Sequence, residues 1–168
     1  VYNMPLRSKA LFESLLFYPE EAVIRLKNRR MLVFDAEAIG VLRAELINTV
    51  GLDRAKGILT RFGFACGYND AKTAKDLLPP ELQYENSGPL FHMMQGHVKV
   101  DVTISEINKE TGYFHREGYW DNSYEAEQHI RILGKYSEPV CWTIAGYAAG
   151  YNTYHFNEPV IFMEDQCI

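Results

Sequence analysis

A chain of 168 residues, of which 47% are apolar and 23% charged, has the length and composition of one globular domain with its own hydrophobic core. Its formal net charge of −5 argues against a surface for nucleic acid or for an anionic membrane. No run approaches the roughly 20 apolar residues that span a bilayer, and no secretory signal opens the chain.

The first half of the chain is predicted to contain a hairpin followed by two helices. Two short extended runs, Ala22–Leu26 and Arg30–Asp35, predict the hairpin. Asp35 suits the N-cap of the first helix, which Gly51 ends, and a second helix is expected from about residue 53 to residue 75. Apolar residues at helical spacing predict the buried faces, which are Ile39, Leu42, Leu46 and Val50 in the first helix and Ala55, Leu59, Phe62 and Cys66 in the second.

The second half is predicted to begin with a loop and a hairpin. Residues 77–86 contain two adjacent prolines and predict a loop, and Gly88-Pro89 opens a short helical segment at 90–95. The strict alternation of Val98, Val100, Val102 and Ile104 predicts a half-buried strand, and its hairpin partner is expected at Tyr113–Trp120.

Two further helices and a strand are predicted to complete the chain. Asn122 is expected to cap a helix, with Glu125 at the third position of a capping box and Gly134 at its end. The apolar stripe of this helix is Ala126, Ile130 and Leu133. Residues 137–139 begin another helix that runs to about Phe156, and Pro159–Cys167 is predicted as a final strand. This mixed order, without a dividing linker, predicts a single compact α+β domain.

One short sequence motif occurs in both halves of the chain. Gly63-Phe-Ala-Cys-Gly67-Tyr-Asn resembles Gly146-Tyr-Ala-Ala-Gly150-Tyr-Asn. Glycines four residues apart share one face of a helix and let another backbone come close. Coincidence in a chain rich in glycine and tyrosine, helix packing and function are the three possible explanations.

The three cysteines allow a structural and a metal-binding interpretation. An odd number does not suggest a disulfide framework and favours a reducing cytoplasm. Cys66 lies on an apolar helix stripe and is interpreted as a packing residue. Cys141, Glu164 and Cys167 offer thiolate and carboxylate ligands that suit Zn²⁺. A tetrahedral site needs four ligands, so two inert cysteines remain the alternative.

His92 and Trp120 are the other candidates for function. His92 lies in the apolar run 90–94 and Trp120 ends a predicted strand, so each is by default a core residue. The other histidines, which are His97, His115, His129 and His155, lie among polar neighbours and are expected at the surface. The 11 Tyr, 9 Phe and 2 Trp residues either pack the core or line a pocket for a flat ligand.

Two groups of motifs resemble known families. The run Cys141–Tyr151, followed by Glu164-x-x-Cys167, resembles the four-vinyl-reductase domain. Gly88–His92, Glu117–Asp121 and Glu125-x-Glu127-x-His129 resemble the N-terminal region of the activators of aromatic catabolism of the XylR, DmpR, MopR and PoxR type, which work with the alternative sigma factor. The resemblance covers nearly the whole chain.

The resemblance implies an effector-sensing domain within a larger protein. Such activators also carry a central ATPase and a DNA-binding helix-turn-helix domain, and an aromatic effector relieves repression of the ATPase. The chain begins at Val1 and stops just after a cysteine, so it is expected to be a fragment. Residues 1–86 would form the N-terminal hairpin and helices, and residues 87–168 the ligand- and zinc-binding portion. The family also implies a homodimer, with the hairpin at 22–35 as an exchange element.

The resemblance further implies a ligand and a metal. In phenol-responsive members a histidine and a tryptophan hold the hydroxyl, and these match His92 and Trp120. The candidates around the ring are Phe91, Met94, Tyr119, Tyr151 and Phe162. The family's structural zinc is held by Cys, Glu, Cys and a later Cys. The first three match Cys141, Glu164 and Cys167, and the fourth has no counterpart before residue 168.

Two other functions remain as alternatives. A zinc-dependent enzyme of the four-vinyl-reductase type is the first, and a scaffold domain without a ligand is the second. Thiolate-rich zinc sites are usually structural, and no acid–base pair is evident near a nucleophile. Both observations favour the sensor over the enzyme.

Overall fold

The computed structural model describes residues 11–78, 87–108 and 110–167. The elements follow one another as β1 (Leu15–Tyr18), β2 (Val23–Leu26), β3 (Arg29–Met31), α1 (Ala36–Val50), α2 (Leu52–Leu77), α3 (Ser87–Met94), β4 (Lys99–Asn108), β5 (Tyr113–Asp121), α4 (Tyr124–Leu133) and α5 (Trp142–Phe156). The strands form two antiparallel sheets, β1-β2-β3 and β4-β5. The predicted α+β class is confirmed. In the described ranges no helix has both the length and the apolar character needed to cross a membrane.

The N-terminal sheet has three strands where the sequence predicted two. The predicted hairpin corresponds to β2 and β3, and β1 adds to it along β2, with Leu15 opposite Leu26. Leu15-Leu-Phe-Tyr18 does not alternate in polarity, so periodicity gave no signal for β1. Most of the loop predicted at 77–86 lies outside the described residues, and the division of the domain near residue 86 remains a prediction.

Helix α1 begins and ends where its sequence predicts, but its most buried residues lie beside the predicted stripe. The Asp35 carboxylate accepts a hydrogen bond of 2.8 Å from the backbone N–H of Ala38, and Gly51 follows the last turn with φ +83°. Leu42, on the predicted stripe, is 54% exposed, whereas Arg43 and Ala44 are buried. The predicted stripe of α1 was therefore wrong at Leu42, while its other three positions are half-buried. Phe62 of α2 is likewise exposed, although Ala55 and Leu59 are buried as predicted.

A buried ion pair explains the inner face of α1. The Nη1 of Arg43 donates to Oε1 of Glu125 at 2.5 Å, and its Nη2 donates to the carbonyl of Val140 at 2.8 Å. The Glu125 carboxylate also accepts from the backbone N–H groups of Thr143 and Ile144 at the start of α5. Two charges can be buried where both are paired and hydrogen-bonded in this way. The inward position of Arg43 follows from these partners.

The same ion pair sets the orientation of α4, where three predictions were wrong. The cap is Ser123, whose hydroxyl accepts from the backbone N–H of Ala126, rather than Asn122. Glu125 faces inward and binds the start of α5 instead of closing a capping box. The helix consequently buries Gln128 and His129, while the predicted stripe residues Ile130 and Leu133 are exposed. His129, expected at the surface, is only 4% exposed.

The end of the chain departs from the predicted strand. Helix α5 begins at Trp142, later than the predicted start at 137–139, and residues 157–167 contain no regular element. Side chains anchor this segment instead. The hydroxyl of Thr153 accepts from the backbone N–H of Val160 at 3.0 Å, and Glu164 Oε2 accepts from the backbone N–H of Cys141 at 2.8 Å.

Helices α2 and α5 pack against each other through the repeated glycine motif. A Cβ at Gly63 would lie 2.0 Å from the backbone oxygen of Thr143, and a Cβ at Gly67 would lie 2.0 Å from that of Tyr147. The contacted positions advance together along both helices, so the pair is parallel. Helix packing therefore accounts for the internal similarity of the sequence.

Candidate ligand-binding site

A cavity of about 50 Å³ lies between three parts of the fold. Its first wall is helix α3, with Gly88, Pro89 and His92. Its second wall is one face of the β4–β5 hairpin, and its third is one face of α5. Phe162, from the segment after α5, also contributes. The elements come from widely separated parts of the sequence, so the cavity exists only in the folded chain.

The hairpin wall is one face of a two-stranded sheet. Val100 pairs with Trp120, and both side chains line the cavity together with Val102 and Arg116. Neighbouring residues in a strand point to opposite faces, so Tyr119 lies on the outer face and is 70% exposed. The register shifts between Val102 and Ile104. This irregularity interrupts the predicted alternation and leaves Ile104 at 38% exposure.

His92 is a buried, neutral polar group in this wall. It is 3% exposed, and its Nδ1 has no hydrogen-bond partner within the described residues. Its ring centroid lies 4.3 Å from that of Tyr147 and 5.7 Å from that of His97. Burial, followed by the nearby His97, lowers the pKa of His92 to about 3. The imidazole is therefore uncharged at neutral pH and has a nitrogen able to accept a proton.

The structure brings together four of the seven residues predicted to contact a ligand. His92, Trp120, Tyr151 and Phe162 line the cavity. Phe91 is fully buried in the hydrophobic core, with its ring centroid 6.1 Å from that of Tyr151. Met94 packs against the same core. Phe91 and Met94 are therefore core residues behind the cavity, and Tyr119 faces outward. These three predicted residues do not line the cavity.

Several lining residues were not singled out from the sequence. Tyr147, Ala148 and Asn152 share the face of α5 that carries Tyr151, and Tyr147 precedes Tyr151 by one helical turn. This spacing of one turn is visible in the sequence and could have identified Tyr147 as a neighbour of Tyr151 in the cavity wall. The hydroxyls of both tyrosines are occupied, because Tyr147 donates to Asp70 at 2.6 Å and Tyr151 donates to Ser87 at 2.6 Å. Both residues therefore offer the cavity mainly their rings.

A second candidate site joins the start of α5 to the segment after it. One ligand atom each from Cys141, Glu164 and Cys167 lies within 4.8 Å of the other two. Cys141 is buried, and its Sγ is 3.2 Å from the hydroxyl oxygen of Ser123. Burial is the main cause of the raised pKa of both thiols. None of the three cysteines forms a disulfide within the described part of the chain.

Comparison with known proteins assigns the chain to a family. The model of the family described as "Activator of aromatic catabolism", the XylR N-terminal family, matches residues 10–108. The chain belongs to this family. The match confirms the resemblance that the motifs suggested.

Relatives of the chain are regulators of the same family. The transcriptional regulatory protein XylR of Pseudomonas putida is 35% identical over 159 residues, which are 94% of this chain and 28% of that protein. The phenol regulator MopR of Acinetobacter guillouiae is 31% identical over 160 residues, 94% of this chain and 29% of that protein. The chain thus spans less than a third of the length of these two relatives.

A solved structure extends the similarity to the fold. The phenol-responsive sensory domain of the transcription activator PoxR, crystallised with phenol, superposes with a TM-score of 0.91 at 32% identity. The match covers 99% of this chain and 84% of that one. The prediction of a sensory domain of a transcriptional activator, rather than an enzyme, is confirmed.

The neutral His92 of this sensory domain should make its stability depend on pH. Between pH 6.5 and about 3, the unfolded chain binds a proton at His92 that the folded chain does not. The free energy of unfolding should therefore fall as the pH drops below 6.5, by up to about 1.4 kcal/mol per pH unit from this group. Burial lowers the pKa of His97 and His129 as well, which adds a dependence of the same sign.

Denaturant unfolding at pH 7.5, 6.5 and 5.5 measures this dependence. His92→Asn is the matched variant, because it keeps a small polar side chain and removes the titration. We expect a shallower loss of stability toward low pH in the variant than in the wild type. Equal slopes for the two proteins would contradict the assignment of a neutral, buried His92.

Proposed function

We propose that this chain senses phenol or a closely related phenolic compound, and that the cavity beside His92 and Trp120 is the binding site. The observation that carries the proposal is a buried, neutral His92 whose Nδ1 is unpaired within the described residues, in a cavity that is otherwise mainly apolar and aromatic. Such a pocket with few polar groups is the usual form of a small-molecule site. The phenol named for MopR and PoxR supports the same ligand class.

The hydroxyl of phenol matches the two polar groups in this proposal. Phenol has a pKa near 10, like tyrosine, so it binds as the neutral molecule at pH 7. The indole N–H of Trp120 can only donate, and it would donate to the phenol oxygen. The neutral His92 accepts the phenol proton on its unprotonated ring nitrogen. Both functions of one hydroxyl are satisfied without any charge.

The size of the cavity indicates that its lining yields when a ring enters. A volume of about 50 Å³ exceeds the roughly 10–15 Å³ needed for one water molecule, but it is smaller than the roughly 150 Å³ of a protein cavity that binds benzene. Phe162 lies in a segment without regular structure. We propose that this side chain moves to admit the ring.

Selectivity for a hydroxyl provides the test of the proposed site. Benzene would leave His92 and Trp120 unpaired, at roughly 1–3 kcal/mol for each buried group, so phenol should bind more tightly than benzene. His92→Ala should weaken phenol binding by about 5- to 150-fold and reduce this preference. Trp120→Ala should weaken binding further, since it removes both the donor and part of the wall. Calorimetric titration with phenol and with benzene measures both quantities.

A variant of the neighbouring residue controls this experiment. Tyr119 lies in the same strand as Trp120 but faces outward, so Tyr119→Ala should leave both affinities unchanged. If His92→Ala remains folded and keeps the wild-type ratio of phenol to benzene affinity, His92 does not hold the hydroxyl.

We further propose that Cys141, Glu164 and Cys167 hold a structural zinc ion. Ligand atoms of a tetrahedral zinc lie about 3.3–3.8 Å apart at the usual bond lengths, and the three atoms here lie within 4.8 Å of one another. Two thiols and a carboxyl are also a suitable donor set. Small shifts of these three side chains would bring their ligand atoms to three of the four tetrahedral positions around the ion. A ligand beyond residue 168 or a water would supply the fourth. When bound, the ion would tie the segment after α5 to the start of that helix.

In the full-length protein, we propose that ligand binding relieves repression of an ATPase domain and so switches on genes for aromatic degradation. This role, the accompanying DNA-binding domain and a cytoplasmic location follow from the resemblance to aromatic-catabolism activators. The chain itself, with its net charge of −5, is not expected to contact nucleic acid.

We also propose that the domain forms a homodimer through its N-terminal sheet. Leu32, Val33 and Phe34, directly after β3, are 66%, 76% and 64% exposed, and Phe17 of β1 is 59% exposed. Exposed apolar side chains in such density mark interaction surfaces. Light scattering at micromolar concentration should show a dimer that Val33→Asp weakens. Ile161→Asp, at an equally exposed apolar position, should leave it intact. A strictly monomeric wild-type domain would contradict the proposal.

A further inference from the structure

The carboxylate of Asp70 is buried directly behind the wall of the cavity. Asp70 lies on α2 and its side chain is 2% exposed. Its Oδ2 accepts from the hydroxyl of Tyr147 at 2.6 Å and from Nε2 of Gln95 at 2.5 Å. Its Oδ1 accepts from the guanidinium of Arg29. Donors from three different parts of the fold therefore converge on one buried anion.

Two of these donors come from residues close to His92. Tyr147 lines the cavity, and its ring packs on the imidazole with a centroid distance of 4.3 Å. Gln95 follows the helix that carries His92, and its backbone N–H donates to the carbonyl of Phe91 at 3.0 Å. Asp70 thus holds both the aromatic wall against His92 and the end of the helix on which His92 lies.

The third donor connects this arrangement to the N-terminal sheet. Arg29 belongs to β3, and its Nη1 also donates to the hydroxyl of Thr73 at 3.2 Å. A buried carboxylate is stable only where a counter-charge and hydrogen bonds replace its hydration. The sheet therefore supplies the charge that keeps the Asp70 carboxylate in place. The exposed residues Leu32–Phe34 follow β3 directly.

We propose that Asp70 is a positioning residue for His92, and that Arg29 makes this positioning depend on the N-terminal sheet. The inference rests on the proposed binding of a hydroxyl by His92. Without the carboxylate, the Tyr147 hydroxyl and Gln95 lose their common acceptor, and the imidazole loses its fixed neighbours. A hydrogen bond depends on direction, whereas apolar burial does not. Phenol affinity should therefore fall more than benzene affinity.

The experiment compares variants that remove one part of the network at a time. Asp70→Asn removes the charge at constant size, and Tyr147→Phe removes one donor while leaving Asp70 paired with Arg29. Each is titrated with phenol and benzene, and the ¹⁵N signals of the His92 ring are recorded by NMR in the free protein. We expect about a tenfold loss of phenol affinity in Asp70→Asn, a reduced phenol-to-benzene ratio in both variants, and shifted His92 ring signals.

Arginine variants test the link to the sheet. Arg29→Met should change the affinity ratio and the His92 signals in the same direction, whereas Arg29→Lys, which keeps the charge, should lie closer to the wild type. Arg25→Met, at an exposed arginine of the same sheet, is the matched control and should change neither.

The outcomes separate this inference from the proposed function. If the wild type binds no phenol, the proposed function fails, and the His92 signals still report whether Asp70 positions the ring. The inference is overturned if the wild type binds phenol and folded Asp70→Asn has the wild-type ratio of phenol to benzene affinity and the wild-type ¹⁵N signals of the His92 ring. Should Asp70→Asn not fold, an unchanged ratio and unchanged signals in Tyr147→Phe overturn the inference in the same way.

Discussion

Replacing Gly67 with alanine should strongly destabilise the domain. The added Cβ would lie 2.0 Å from the backbone oxygen of Tyr147, and a backbone atom within a helix cannot move aside alone. Helices α2 and α5 would have to separate, which disturbs the packing along the whole pair. Overpacking usually costs about 1–3 kcal/mol. The loss here should be at least about 3 kcal/mol, from a total of roughly 5–15 kcal/mol for a typical domain.

Gly57→Ala provides the control on the same helix. There the new Cβ would meet only Nη1 of Arg61 at 3.3 Å, the mobile end of an exposed side chain. Alanine favours the helix over glycine, so this variant should gain about 0.5–1 kcal/mol. Thermal unfolding measures the difference, at roughly 2–4 °C per kcal/mol for a domain of this size. Equal melting temperatures for Gly67→Ala and the wild type would contradict the close parallel packing.

Removing the proposed zinc ligand Cys141 should leave a poorly folded domain rather than a folded domain that fails to respond. Where a metal site exists only in the folded state, the free energy of metal binding becomes free energy of folding. Structural zinc contributes about 10–16 kcal/mol in small zinc-finger peptides, which is comparable with the whole stability of a typical domain. We expect about one zinc per chain in the purified wild type and a large loss of stability in Cys141→Ala.

Cys66 provides the matched control for this experiment. Cys66 is partly buried against the hydrophobic core and is not among the three clustered residues. Cys66→Ala should keep the zinc and lose only about 1 kcal/mol, as an ordinary substitution does. Metal analysis and denaturant unfolding of both variants give the comparison. Well under one zinc per chain in folded wild-type protein would remove the zinc proposal.

The candidate site was accessible from the sequence only through the family resemblance. His92 and Trp120 lie on different elements, and each has the local pattern of a core residue. Neither composition nor spacing could show that both face one cavity. The outward position of Tyr119 was predictable, because it adjoins Trp120 in a strand whose residues alternate between faces. The contribution of Tyr147 was also within reach, one helical turn before Tyr151.

Local signals in the sequence determined the elements of this protein and many of their ends. Asp35 caps α1, and Gly51 and Gly134 end helices, because capping depends on neighbouring backbone groups. The alternation of apolar residues likewise predicted β4, and β5 was expected as its hairpin partner. The repeated glycine motif identified two helices able to pack closely, although it could not show that they pack against each other.

Only the tertiary structure decided which faces of those elements turn inward. Arg43 is buried because Glu125 meets it from 82 positions further along the chain, and Asp70 is buried because Arg29 and Tyr147 meet it from 41 positions before and 77 after. Hydrophobic periodicity assumes that charged residues face water. That assumption fails where a distant residue supplies the counter-charge and hydrogen bonds that replace the water. Such pairings depend on the folded path of the chain, which no local window of sequence contains.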